Sequence, residues 1–278
     1  MSSSPSFAYA GTHSPRLKAA RRLAKRAFRD RDRAFLAEGP QAVAEAFACG
    51  ARISDLFVTA AARSRHAKLV DEIATAGIHI HLVNDAVMAE LAQTVTPQGL
   101  LAVCGFVDVS LEQALAGKPS LVVVLANVRD PGNAGTVLRT ADAAGAGAVI
   151  FADASVDPYN SKCVRASAGS LFHLPVVTGV RLTDVVTRSH AAGLRVIAAD
   201  GGAERSIDDV DVTRSLALPS AWLFGNEAWG LPPELAELAD EVLAVPIYGR
   251  AESLNLATAA AVCLYASARA QRVNGNGV

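Results

Sequence analysis

An α/β fold in two successive parts is what this sequence predicts, on three observations. Short apolar runs of strand length alternate with segments of helical periodicity from Ala34 onward. In the second half those runs are apolar at consecutive positions, as in strands buried on both faces of a mostly parallel sheet. The alternation pauses at 109–119 and restarts, which divides the 278 residues into a small and a larger domain. Hydrophobic residues make up 51%, ample for a sizeable core, so disorder is excluded as the main state.

Residues 1–13, mostly Ser, Pro, Gly, Ala and Thr, read as a flexible leader. From Pro15, Arg21, Arg22, Lys25, Arg26 and Arg29 fall at helical spacing. Leu17, Ala20, Ala24, Ala27 and Phe28 lie opposite them, which predicts one amphipathic basic helix over 16–33. Strands at 34–38, 56–59, 78–83 and 100–106 then alternate with helices at 40–49, 66–76 and 85–93, giving a first domain over 14–108. Residues 109–119, ending in Gly117-Lys118-Pro119, read as a linker. The second domain, 120–278, has strands at 121–125, 148–151, 176–177 and 194–198 and helices at 131–144, 161–168 and 183–192. An apolar strand at Trp222 to Phe224, a helix from Pro233 and a helix at 256–270 complete it.

Charge and cysteine usage narrow the function classes. The 26 Lys and Arg against 27 Asp and Glu leave a formal charge of −1. Arg16 to Arg33 alone carries +7, so the remainder carries −8 and any basic patch is local. That patch reads either as a solvated helix face or as a set of phosphate contacts. Cys49, Cys104, Cys163 and Cys263 lack the paired spacing of a zinc site or a disulfide scaffold and read as reduced thiols of a cytoplasmic protein. The longest uncharged run near the C-terminus, 253–268, carries Ser, Asn and Thr, so neither a signal peptide nor a membrane span is expected. Gly145-Ala146-Gly147 follows a helix and precedes a strand, the reverse of a dinucleotide-binding turn. His79 and His81 alternate on a strand, while His173 and His190 lack ligand-spaced partners, so no metal is expected.

Three segments, each just after a strand, depart from ordinary α/β punctuation. In Asn127 to Arg139, Asp130 caps a helix starting at Pro131, and Gly132 and Gly135 admit close approach beside Asn133. In Trp222 to Pro233 an apolar strand runs into Gly225, with the Glu227 carboxylate two residues on and Gly230 after it. In Val245 to Asn255, either Ser253 or Asn255 caps the following helix, whose many alanines allow close packing against the sheet or a twin subunit.

Together, in this order, these segments resemble the three motifs of the SpoU/TrmH family of RNA 2′-O-ribose methyltransferases, within the SPOUT superfamily. The matching residues are Asn133 to Arg139, Gly225-Asn226-Glu227-Ala228-Trp229-Gly230, and Pro246 through Ser253-Leu254-Asn255, and the likeness spans about residues 118–273. The first domain, with Phe35-Leu36-Ala37-Glu38-Gly39, resembles the family's L30e/L7Ae-like substrate-binding domain. The resemblance implies a C-terminal SPOUT domain with a deep trefoil knot at about 221–260. It implies S-adenosyl-L-methionine as methyl donor, its adenosine gripped by backbone around Leu223, Gly225, Val245, Ile247 and Leu254, with Asn226 also in the cofactor site, and a homodimer with its active site beside the interface.

Methyl transfer from a sulfonium to a ribose hydroxyl is an in-line displacement, in which the protein chiefly positions two reactants and no metal is required. The family gives Arg139 a central role, in some proposals as the base. A guanidinium has no acceptor, so clamping a phosphate or the nascent oxyanion suits it better, with Asn133, Glu227, Ser253 and Asn255 orienting the loops and the ribose. Arg21, Arg22, Lys25 and Arg26 are the expected RNA contacts. Ribosomal RNA, 23S in particular, is expected ahead of transfer RNA. The rivals are a non-catalytic knotted RNA-binding or ribosome-assembly factor and a SPOUT enzyme acting on a base.

Overall fold

The structure is a computed structural model that describes residues 8–9 and 14–275. Along the chain run β1 (Ala8–Tyr9), α1 (Pro15–Arg22), α2 (Arg26–Asp32), β2 (Ala34–Glu38), α3 (Pro40–Ala48) and β3 (Ile53–Thr59). Next come α4 (Ala60–Arg65), α5 (Ala67–Thr75), β4 (His79–Val83), α6 (Asp85–Leu91), β5 (Leu100–Gly105) and α7 (Leu111–Ala116). Then follow β6 (Leu121–Ala126), α8 (Pro131–Ala144), β7 (Ala148–Ala152), α9 (Ser161–Ser167), β8 (Val176–Val180), α10 (Leu182–Ala191) and β9 (Arg195–Ala199). The last are α11 (Val210–Ser215), β10 (Ser220–Phe224), α12 (Pro233–Ala236), β11 (Glu241–Leu243) and α13 (Leu256–Gly275). They form two compact units, one of residues 1–107 with 159–172 and the other of 108–158 with 173–278.

The first unit is built on a five-stranded sheet in the order β1-β4-β3-β5-β2, in which β1, β4 and β3 are parallel and β5 runs against β3 and β2. Most of the leader lies outside the described residues, but Ala8 and Tyr9 pair with His81 and Leu82, so that part of it is a strand. The single basic helix expected over 16–33 is corrected to two helices separated at residues 23–25. Leu17, Ala20 and Leu23 bury one stripe in the core with Val87, Met88 and Leu91 of α6, whereas Ala24 and Ala27 are exposed. Arg29, expected on the basic face, is buried and donates through Nη1 to the carbonyls of Leu23 and Ala24 at 2.9 and 3.0 Å. Those are orphan carbonyls at the end of α1, and a cation there both satisfies them and suits the helix dipole.

Residues 159–172 were expected to belong wholly to the second domain, and the structure corrects this: α9 forms as read, but in the first unit. Phe35 of β2 meets Tyr159 and Phe172 at ring-centroid distances of 4.8 and 5.9 Å, and Arg165 pairs with the buried Glu38 at 3.1 Å. Aromatic burial is a tertiary outcome that the helical periodicity of 161–168 does not encode.

The second unit carries six strands, all parallel, in the order β11-β9-β10-β6-β7-β8. Every residue of β6, β7 and β10 is buried, as their continuous apolar runs require. The expected linker 109–119 holds α7, capped by Ser110, with Leu111, Ala114 and Leu115 packed in the same core as Val122 and Val124 of β6. Helix α13 is fastened to the sheet by Trp222 of β10, whose Nε1 donates to Ser267 Oγ at 2.8 Å. None of the four cysteines is in a disulfide, and burial pushes the Cys104 and Cys263 thiols up to about 12.

Candidate active site

Sheet register explains why residues a hundred positions apart meet. Leu243, Ala199, Phe224 and Leu125 lie in one row across β11, β9, β10 and β6. All four strands run the same way, so the loops after them leave the sheet at one edge, where ligands of parallel sheets bind.

After β6 the chain turns through Asn127 at a φ of 58°, a left-handed value that Asn tolerates, and its carbonyl accepts from Asn226 Nδ2 at 2.9 Å. Asp130 then caps α8, its Oδ1 accepting from the Asn133 N–H at 2.8 Å. After β10, Asn226 and Gly230 exchange two main-chain hydrogen bonds of 2.8 and 2.9 Å, closing a small loop with Glu227 at its tip. A Cβ on Gly225 would lie 2.4 Å from the Gly230 carbonyl, so this strand end admits only glycine.

Glu227 fastens one loop to the other. Its Oε2 accepts from the Arg129 N–H at 3.1 Å, and its Oε1 accepts from the Asp130 N–H at 3.0 Å and from Asn133 Nδ2 at 3.3 Å. Partial burial pushes the carboxyl's pKa up. Donation by the Arg129, Asp130 and Glu227 main chain and by Asn133 outweighs this and holds it below the usual glutamate range. Asn255 settles which residue caps α13: its Oδ1 accepts from the Ala257 N–H at 2.9 Å, and Ser253 takes no part. With that oxygen occupied, Asn255 Nδ2 turns to Asn133 Oδ1 at 3.0 Å, and Asn133 Nδ2 in turn faces Glu227. Each donor in the chain fixes the next.

Of the five residues grouped as catalytic, the structure therefore joins Asn133, Glu227 and Asn255. Ser253 lines the neighbouring cleft. Arg139 lies six residues further along α8, about 240° round and about 9 Å up the helix, so it is not part of the network. It is exposed and has no hydrogen bond or ion pair among the described residues.

That cleft, of about 200 Å³, opens where three of these strands, β9, β10 and β11, end. Gly225, Asn226, Val245, Ile247 and Leu254 line it. The Leu223 side chain packs in the core with Val124 and Ala198, and Phe224 supplies the neighbouring wall. Three acidic residues line the cleft, Asp200, Glu227 and Glu252, and none of the described lining residues is Lys, Arg or His. Asp200 and Glu252 escaped the sequence reading. The end of the 194–198 strand followed by Asp200-Gly201-Gly202 was the available signal for Asp200.

The expected RNA contacts lie in the first unit. Arg21 pairs with Glu90, Arg26 with Asp30 at 3.6 Å, and Arg22 sits 5.8 Å from the Phe28 ring, while Lys25 is exposed at the break between α1 and α2.

Comparison with known proteins agrees with this architecture. Residues 120–265 match the model of the SpoU rRNA methylase family, and residues 14–102 match the MRM3-like substrate binding domain. The chain belongs to the SpoU rRNA methylase family. It is 36% identical over 239 residues to the 23S rRNA (guanosine(2553)-2′-O)-methyltransferase RlmP of Bacillus subtilis, covering 85% of this chain and 89% of that protein. Among solved structures, the AdoMet-bound rRNA methyltransferase from Sinorhizobium meliloti superposes with a TM-score of 0.81 at 32% identity, covering 95% and 97% of the two chains. The SpoU methyltransferase AviRb from Streptomyces viridochromogenes, in complex with AdoMet, gives 0.80 at 28% identity, covering 94% and 100%.

Proposed function

We propose that the protein transfers a methyl group from S-adenosyl-L-methionine to a ribose 2′-OH of RNA, 23S ribosomal RNA by preference. One observation carries the reading: a cleft lined by carboxylates and no cation lies beside the Asn133–Glu227–Asn255 network. Such a donor set fits a ligand bearing both a sulfonium and an ammonium. Phe224, Leu243, Val245, Ile247, Leu254 and Leu256 offer an apolar wall for an adenine ring. When bound, the donor supplies an activated methyl group.

The protein's part is positioning. Glu227 spends its oxygens on main-chain donors and is less basic than usual, so it holds the loops in register and does not take the ribose proton. Asn133 and Asn255 face the same opening and orient the acceptor sugar. Arg139, with no hydrogen bond or ion pair among the described residues, clamps a phosphate or the developing alkoxide. The first unit holds the RNA, with Lys25 and Arg22 as phosphate contacts.

The trefoil knot, the homodimer and the cytoplasmic location belong to the same proposal. Val262 and Tyr265, exposed one turn apart on α13, give a second copy an apolar face to cover. No helix among the described residues is long and apolar enough to cross a membrane. Incubation with labelled donor and total RNA tests the reading. Label in 23S RNA at a position resistant to alkaline hydrolysis is expected. Label confined to transfer RNA, label at an alkali-cleavable position, or none would overturn it in favour of a transfer-RNA enzyme, a base methyltransferase or a non-catalytic factor.

A further inference from the structure

We propose that Trp229 is a stacking platform for an unpaired base of the RNA acceptor, at or beside the nucleotide whose ribose is methylated; this rests on the reading above. The two tryptophans of the chain are in opposite situations. Trp222 is 0% exposed and hydrogen-bonded to Ser267, whereas Trp229 is 53% exposed. Among the described residues the Trp229 indole has no hydrogen bond, ring stack or cation–π partner, so folding gives no account of it. An indole left half in water forgoes much of the area that makes this side chain stabilising.

The main chain that carries it is nevertheless held. The Asn226–Gly230 pair closes the loop beneath it, Asn226 Oδ1 accepts from the Ala228 N–H at 2.9 Å, and Glu227 is tied to Arg129 and Asp130. An aromatic ring on a loop whose main chain is held has only two side-chain torsions to order when a base stacks on it. Around it, an open concavity is lined by Arg129, Asp130, Asn133, Asn226, Glu227 and Asn255. Arg129 is exposed and has no ion pair among the described residues.

The combination selects the occupant. A single aromatic face among three amides, a guanidinium and two carboxylates already engaged by donors of the loops suits a planar base on a phosphate backbone, because the base stacks, the phosphate meets Arg129, and the sugar reaches Asn133 and Asn255. A protein partner's apolar surface would find one indole in an otherwise polar hollow.

Tryptophan fluorescence with acrylamide tests this on the intact protein, since Trp222 is shielded and Trp229 is not. A ten-nucleotide oligoadenylate is expected to protect the accessible tryptophan, and an abasic ribose-phosphate chain of equal length is not. Trp229→Ala should weaken oligoadenylate binding about tenfold and raise KM for RNA more than it lowers kcat, with donor affinity by calorimetry unaltered. Trp229→Phe should restore most of the loss. Undiminished quenching with the oligonucleotide bound, equal protection by the abasic chain, or unchanged RNA affinity in Trp229→Ala would overturn the assignment. So would an indole already shielded in RNA-free protein in a concentration-dependent way, which would place a second copy over it. Wild-type protein that binds neither RNA nor donor would instead sink the functional reading itself.

Discussion

Asn255 Nδ2 donates to Asn133 Oδ1 at 3.0 Å although 122 residues separate them in sequence. Asn255 also caps α13, and Asn133 also reaches Glu227, so one pair of amides ties the start of α13 to the start of α8 and both to the loop after β10. The site is thus a set of loop ends locked by side chains on a rigid sheet, an arrangement suited to holding two reactants in line.

Glu227→Gln would keep the shape but set an amide NH2 against one of the main-chain N–H donors of Arg129 and Asp130. Losing one hydrogen bond to a charged group at a partly exposed site costs roughly 1.5 kcal/mol, about tenfold in kcat/KM. Because the folded carboxyl's pKa is depressed, its contribution is present above the ordinary glutamate value and is lost as pH falls through the folded value. Amide exchange at whichever of Arg129 and Asp130 faces the NH2, corrected for intrinsic rate, should therefore be fast in the variant at neutral pH, and in wild type should quicken only in acid.

Gly225→Ala would drive a methyl group into the Gly230 and Leu231 main chain, at 2.4 and 2.7 Å, and no flexible side chain is there to yield. Overpacking of this kind costs roughly 1–3 kcal/mol. Calorimetry should show donor affinity reduced at least tenfold with the circular dichroism spectrum kept, while Gly249→Ala, whose added Cβ meets nothing, should bind as wild type does.

Arg139→Lys tests the clamp. A lysine keeps the charge but loses the planar fork, so turnover should drop on the order of tenfold or more with donor affinity unchanged. Near-normal turnover in a labelled-methyl assay would count against bidentate clamping.

The basic segment divides into two roles. Arg29→Ala would leave the buried Leu23 carbonyl without its donor, remove the second bond to the Ala24 carbonyl, and should cost about 2 kcal/mol in urea unfolding of the first unit. Neutralising Lys25 or Arg22 should change stability by no more than about 0.5 kcal/mol. Each should lower the salt dependence of RNA binding by about one counterion.

Much of this protein was legible along the chain. Strand 34–38 and helix 131–144 stand in the structure with the boundaries that their apolar pattern and the Asp130-Pro131 start dictate, because such signals are local. Asn133, Glu227 and Asn255 could be chosen as site residues because their glycine and capping context departs from ordinary punctuation. What periodicity does not carry is which strands become neighbours. Only the insertion of β10 between β9 and β6 aligns Phe224 with Leu125 and brings Glu227 to Asn133. Only three-dimensional packing sends Tyr159 and Phe172 to Phe35, packs the Leu223 side chain in the core, and buries Arg29 against two carbonyls. Helix and strand formation are decided by neighbours a few residues apart, whereas these outcomes depend on apolar and polar groups finding partners across the whole chain, a competition no single segment encodes.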